Sequence, residues 1–261
     1  MGWPFKAKSF LEPEDEAWHL DTWAWLLTHW GGLADLKLSP LITPTREFFP
    51  PSEAKGHARA EVAFEQVKTL AKMESWACRL EPQPERAPLQ VSRHVILKPE
   101  RNAPLGTFGY EGQEVMITYD PGLIDDPASL VATLAHELSH YRIHSIPGEP
   151  PGGEEMDEFA TDLAVAYLGF GLFGAETAFR FRASNEGWGY SSQGYFRQED
   201  WVFALATFLA LRDEAPDAAR KFMKPELAAA LPKAMKRLQS AYSDRIGAMR
   251  AIVPSPKAES A

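Results

Sequence analysis

Apolar positions recur at helical spacing through most of the chain. Leu20, Trp23, Leu27 and Trp30 share one face and predict a helix over residues 14–30, stopped by Gly31-Gly32. Pro40, Pro44, Pro50 and Pro51 make residues 39–51 an irregular connection whose Phe48-Phe49 pair packs inward. A second amphipathic helix is expected from about Ser52 to Trp76, with Ala60, Ala63, Phe64, Val67, Leu70 and Ala71 facing the interior. The proline-rich stretch Glu81 to Pro88 can be neither helix nor central strand. It divides a helical part, residues 1–80, from a second part, residues 89–252.

Val91 to Leu97 and Glu114 to Tyr119 read as short strands, with Gly106-Thr107-Phe108-Gly109-Tyr110 separating them. Leu130, Leu134, Leu138 and Tyr141 predict a helix, opened by Asp126 as cap and Pro127 at its first position. Ile146 to Gly153 is a turn-rich connector. Acids from Glu154 onward open a further helix, which runs through Phe159, Leu163, Ala166 and Phe170 until Gly169, Gly171 and Gly174 loosen it. Ala183 to Gln198 is expected to be a loop, and Glu199 to Arg212 a helix. Pro216 and Pro232 punctuate the remaining helices, the last of which turns Leu231, Met235, Leu238 and Tyr242 inward. Residues 253–261 are expected to form a disordered tail. There are no internal repeats. The fold class is α+β: mostly helical, with a small antiparallel sheet packed on the helix after Asp126.

Composition narrows the function. With 45% hydrophobic residues and 24% charged ones, the chain is that of an ordinary globular protein, able to bury a sizeable core. A net charge of −9 argues against nucleic acid as a partner. Basic residues gather from Arg220 to Arg250, and solvated helix faces account for them better than an anion-binding surface. Cys78 is the only cysteine, which removes intrachain disulfides and thiolate metal clusters. Leu163 to Phe173 and Trp201 to Leu211 are too short to span a bilayer, and Met1 to Lys6 leads into no uncharged apolar run. A cytoplasmic protein without membrane partners is the expectation; its oligomeric state is not encoded in any recognisable pattern.

The candidate chemistry lies in His136-Glu137-Leu138-Ser139-His140, the pattern H-E-x-x-H. Residues four apart on a helix share a face, so both imidazoles can reach one ion, while Glu137 projects about 100° around the axis. A tetrahedral zinc would still need a third protein ligand and an open position. Glu158 and Asp162 also share a helix face. One of these carboxylates can bind metal while the other fixes a ligating imidazole through a hydrogen bond.

His136-Glu137-x-x-His140 followed by Glu158-x-x-x-Asp162 resembles the site of the gluzincin metallopeptidases, the thermolysin-like class. The likeness covers the site and its two helices, not the flanks. It implies a zincin-like core with Zn²⁺ held by His136, His140 and Glu158, Glu137 as general base, and Asp162 hydrogen-bonded to a ligating histidine. The implied function is hydrolysis of a peptide or protein substrate by water activated between Zn²⁺ and Glu137. In zincins a strand beside the active-site helix often pairs with extended substrate; Val115 to Tyr119 could do this or be purely structural.

Such a reaction needs a group to stabilise the oxyanion. No histidine follows His144, so Tyr190, Tyr195 and Arg197 are the candidates, with loop packing as the alternative. Glu154, Glu155 and Asp157 compete with Glu158 as ligand, but the spacing to Asp162 and the apolar neighbour Phe159 favour Glu158, with Glu155 as backup. His144 belongs near the rim, because one straight helix does not wrap three ligands around one tetrahedral ion. His19, His29, His57 and His94 lack ligand partners in the sequence and are expected to fill core or surface positions. Two other functions fit the motif: a non-catalytic zinc-binding scaffold, or a metal hydrolase of a non-peptide substrate. Glu137 speaks against the scaffold, since a structural metal does not need it.

Overall fold

The computed structural model describes residues 9–84, 89–92, 95–97, 105–111, 114–185 and 196–255. Helix α1, Pro13–His29, opens with proline and three acids in its first turn, where the helix dipole favours negative charge. It buries Leu20, Trp23, Leu26 and Leu27 completely. Helix α2, Gly32–Leu38, follows directly. Helix α3, His57–Leu70, buries Ala60, Phe64 and Val67 but is shorter at both ends than the expected span of Ser52 to Trp76. It starts only after Gly56, and the backbone leaves helical geometry where Lys72 takes a φ of 58°.

Among the described residues five strands follow: β1 (Cys78–Pro82), β2 (Leu89–Ser92), β3 (Val95–Leu97), β4 (Gly106–Glu111) and β5 (Glu114–Tyr119). Strands β2 and β3 form an antiparallel pair of their own. The other three form a sheet in the order β1-β5-β4. β5 is antiparallel to β4 but parallel to β1, so this sheet is mixed and not antiparallel as expected. β5 buries Val115, Ile117 and Tyr119 in alternation, as a central strand packed on one face should. Residues 106–110, expected as a connection, belong to β4 instead. β1, which contains Glu81 and Pro82, is an edge strand among the described residues, where proline is tolerated.

Helix α4, Pro127–His144, carries the motif. Asp126 caps it, accepting hydrogen bonds from the Ser129 N–H (3.5 Å) and hydroxyl (2.8 Å). Nearly every residue from Ser129 to His140 is buried, because α3, β4, β5 and later helices surround it. Helix α5, Asp157–Tyr167, is the second site helix. It ends at Gly169, whose φ is 95° and whose backbone lies against Pro40; a β-carbon there would sit 2.2 Å from the Pro40 carbonyl oxygen. The chain does not then loosen. Helix α6, Gly171–Asn185, restarts at once and occupies part of the expected loop.

Helices α7 (Gln198–Arg212), α8 (Asp217–Arg220), α9 (Pro225–Ala241) and α10 (Ser243–Arg250) complete the fold. Pro232 lies inside α9 instead of ending a helix. The Ala228 carbonyl, which would have received the missing N–H at position 232, accepts from Arg220 Nε at 3.0 Å. Arg220, Lys224, Arg237, Arg245 and Arg250 pair with Asp217, Glu176, Glu16, Asp21 and Asp213, which accounts for most of the basic run without an anion-binding surface.

Buried apolar side chains form one continuous core from Leu11 to Met249, so α1, α3, β5, α4, α5 and α7 share it across the proline-rich segment. The segment read as a disordered tail is held through Ser255, whose N–H donates to the Thr28 carbonyl at 2.8 Å. No helix among the described residues is long and apolar enough to cross a membrane.

Candidate metal centre

α4 and α5 bring together the three residues expected as ligands. His136 Nε2 and His140 Nε2 are 3.1 Å apart. Glu158 Oε2 lies 3.3 Å from the first and 3.5 Å from the second. Around a tetrahedral zinc with bonds of about 2.0–2.1 Å, neighbouring donors stand about 3.3 Å apart. The triangle therefore already has the edges such an ion requires. Glu158 Oε2 is buried and has no well-formed hydrogen bond, an expensive state for a carboxylate oxygen without a cation. Two imidazole nitrogens and a carboxylate are also the donor set that suits zinc. His136, His140 and Glu158 thus fit the ion on shape, on chemistry and on a carboxylate oxygen without a well-formed hydrogen bond.

Each histidine is fixed from behind. His136 Nδ1 donates to Asp162 Oδ1 at 3.0 Å, and Asp162 Oδ2 accepts the Phe196 N–H at 2.8 Å. His140 Nδ1 faces the Thr161 hydroxyl at 3.1 Å and Asp157 Oδ2 at 3.5 Å. These contacts leave both Nε2 atoms as the outward donors. Behind His136 a cavity of about 20 Å³, lined by Asp162, Phe196 and Trp201 among others, has room for a single water. On the other side the Glu158 side chain is 43% exposed.

The charges of the site depend on one another. Burial lowers the pKa of His136, but Asp162 and Glu158 outweigh it and hold the imidazole well above the ordinary histidine value. Burial also opposes the charged form of His140, and Asp157 with Glu158 again reverses the effect. Burial pushes Glu158 up, yet the two imidazoles facing it hold it far below the usual carboxylate range. Protons and a metal ion therefore compete for the same cradle.

Glu137 is 6% exposed, and its side chain lies against Gly106 of β4. Burial raises its pKa, and the adjacent histidines pull it partly back. The Phe108 N–H is near enough to favour its charged form. Gly106 makes this approach possible, since a β-carbon there would stand 2.6 Å from Thr133 Cγ2 and 2.8 Å from Glu137 Oε1. The Phe108 ring lies nearly parallel to His140, with centroids 6.3 Å apart.

Other sequence candidates fall elsewhere. Arg197 is committed to Asp200 and Asp15: Nε donates to Asp200 Oδ2 at 2.8 Å and Nη2 to Asp15 at 3.0 Å, in the cap of α7. The expectation that it serves an oxyanion gains no support from these contacts. Tyr190, Tyr195 and His94 lie outside the described residues. Glu155 is exposed in the turn before α5 and belongs to no donor cluster among the described residues. His19 is a core histidine, 1% exposed, between Phe196 and Phe203 and facing Asp200 at 3.7 Å. Sequence reasoning missed Thr161, and it weighed Asp157 only as a rival ligand to Glu158; it gave Phe108 and Gly106 no part in the site. The first two were signalled by their own four-residue spacing, one position ahead of Glu158 and Asp162.

Comparison with protein-family models, curated proteins and solved structures finds no match for this chain.

Proposed function

We propose that this chain is a zinc-dependent peptidase of the thermolysin-like kind. The observation that carries this reading is the triangle of His136 Nε2, His140 Nε2 and Glu158 Oε2, together with the buried carboxylate of Glu137, whose ionisation both histidines favour. A zinc ion held there supplies a Lewis acid that lowers the pKa of water and polarises a carbonyl. The chain's own groups do the rest. Glu137 takes the proton of the attacking water and returns it to the leaving nitrogen, and its raised pKa brings it nearer the working pH. The Phe108 N–H favours its charged form, while Asp162 and Thr161 fix the two imidazole rings.

An extended peptide as substrate is supported by β4. It is an edge strand among the described residues, running beside α4. The Leu105 carbonyl pairs with Asp120, whereas the Phe108 N–H lies near Glu137. Backbone groups alternate along an antiparallel strand, so those of Gly106, Phe108 and Tyr110 face away from β5, beside the site. A substrate strand added there would carry its scissile bond past Glu137. This role moves from Val115 to Tyr119, which is the central strand, to β4. Tyr190 and Tyr195 are retained as candidates for the oxyanion. Cytoplasmic residence is in keeping with Cys78 as a free thiol.

The test is zinc content after dialysis. One tightly held ion per chain is expected to survive dialysis in the wild type and almost none in His140→Ala; a wild type without zinc, never exposed to chelator, contradicts the reading.

A further inference from the structure

The proposed reaction has no use for His144. This residue ends α4, and its Nε2 lies 3.2 Å from Asp157 Oδ2 at the start of α5. The same oxygen is 3.5 Å from His140 Nδ1, the nitrogen facing away from the first centre. One donor atom from each of His140, His144 and Asp157 lies within 4.8 Å of the others. His144 and Asp157 are reachable from water, with side chains 41% and 24% exposed.

We propose a second cation site, in which His144 Nε2 and Asp157 Oδ2 bind a zinc-like transition-metal ion distinct from the one held by His136, His140 and Glu158. The 3.2 Å separation of the two donors is close to the edge of a zinc coordination shell, about 3.3 Å. Mixed imidazole and carboxylate donors select zinc, cobalt or nickel over magnesium and calcium, which take oxygen alone.

His140 couples the two sites. A neutral imidazole has one lone pair. When Nε2 holds the first ion, Nδ1 carries the proton, which it donates toward Thr161 and Asp157. The second site then has two protein donors, completed by water, and is weak. When the first site is broken, the His140 proton can move to Nε2, and Nδ1 becomes a third donor for the second site. Occupation of either site therefore weakens the other, and by linkage the effect is reciprocal.

The experiment is calorimetric titration of the full, metal-stripped chain with Zn²⁺, checked by elemental analysis. Wild type should bind two ions in two steps, the second at least about tenfold weaker than the first, as expected for the loss of one ligand. His144→Ala, at an exposed position, should retain the first step and lose the second; Asp157→Asn should weaken the second at least tenfold. His136→Ala should still bind one ion, more tightly than the second ion of the wild type, and the His136→Ala/His144→Ala pair none. A wild type that binds one ion, with a His136→Ala variant that binds none, overturns the proposal. So does a second step that survives His144→Ala unchanged. If wild type binds a single ion that His144→Ala abolishes and His136→Ala does not, the second site stands and the peptidase reading falls.

Discussion

Gly106 and Glu137 are held so close that any side chain at position 106 must displace the carboxylate: its β-carbon would lie 2.8 Å from Glu137 Oε1. The contact joins the edge strand to the motif helix at the residue proposed to move the proton. Gly106→Ala is therefore expected to keep zinc, since no ligand is touched, and to lower kcat by about 10–100-fold through misplacement of Glu137. Turnover measured at equal zinc content checks it. An unchanged kcat would mean that Glu137 is not held by this strand.

The hydrogen bond from His136 to Asp162 is the next point of test. Asp162→Ala should weaken zinc affinity by about 10–100-fold, and Thr161→Val, which removes the hydroxyl behind His140, by about tenfold. Competition with a chromophoric chelator measures both. Glu155→Ala should have no effect; if it abolishes binding, the ligand assignment on α5 is wrong.

The pH dependence follows from the raised pKa values of His136 and His140. In the metal-free protein their stabilising contribution is complete below the unfolded value of about 6.5 and is lost as pH rises through the higher folded values. Burial of Glu137 and Asp162 raises their pKa values as well, which also favours the lower pH. Glu158 and Asp157 are depressed, so their contribution lies above the ordinary carboxylate range and is complete by neutrality. Metal-free protein should therefore melt at a lower temperature at pH 9 than at pH 6.5. Zinc should stabilise increasingly over the same interval, releasing protons on binding at the acid end. Thermal melts with and without zinc at the two pH values decide this, and the opposite slope for the metal-free protein would contradict it.

On α1, Glu16 is fully buried and accepts from Arg237 (3.0 and 2.7 Å), from the Tyr242 hydroxyl (2.7 Å) and from the N–H groups of Phe10 and Leu11. Removing Arg237 leaves a buried carboxylate without its counter-charge. Arg237→Ala should cost about 3 kcal/mol, at the low end for a broken buried pair because the other donors remain. Urea denaturation gives the number, and a loss below about 1 kcal/mol, the range of surface pairs, would show the charge is compensated otherwise.

The motif helix was legible because its signals are local: the Asp126 cap, Pro127, the apolar spacing and the two histidines all lie within one element. Glu158 and Asp162 were legible for the same reason. The sheet was less so. β4 contains Gly106 and Gly109, which in sequence resemble a turn, and only the nearness of Thr133 and Glu137 in the folded chain explains why glycine is needed at position 106. That β1 runs parallel to β5 is a pairing choice, and strand periodicity carries no information about partners. Pro232 looked like a helix end because the compensating donor, Arg220, comes from another helix. Arg197 looked free in sequence for the parallel reason that Asp15 is brought to it only by folding.

The measurement that tests the central claim most directly is peptide cleavage by Glu137→Gln beside wild type, both at one zinc per chain and neutral pH, against a broad peptide library. Glutamine preserves shape but cannot accept the proton of the attacking water. The account predicts that wild type cleaves, and that the variant keeps its zinc and its fold while losing at least about a hundredfold in rate, the usual scale of general-base catalysis. Cleavage by Glu137→Gln at the wild-type rate would contradict it.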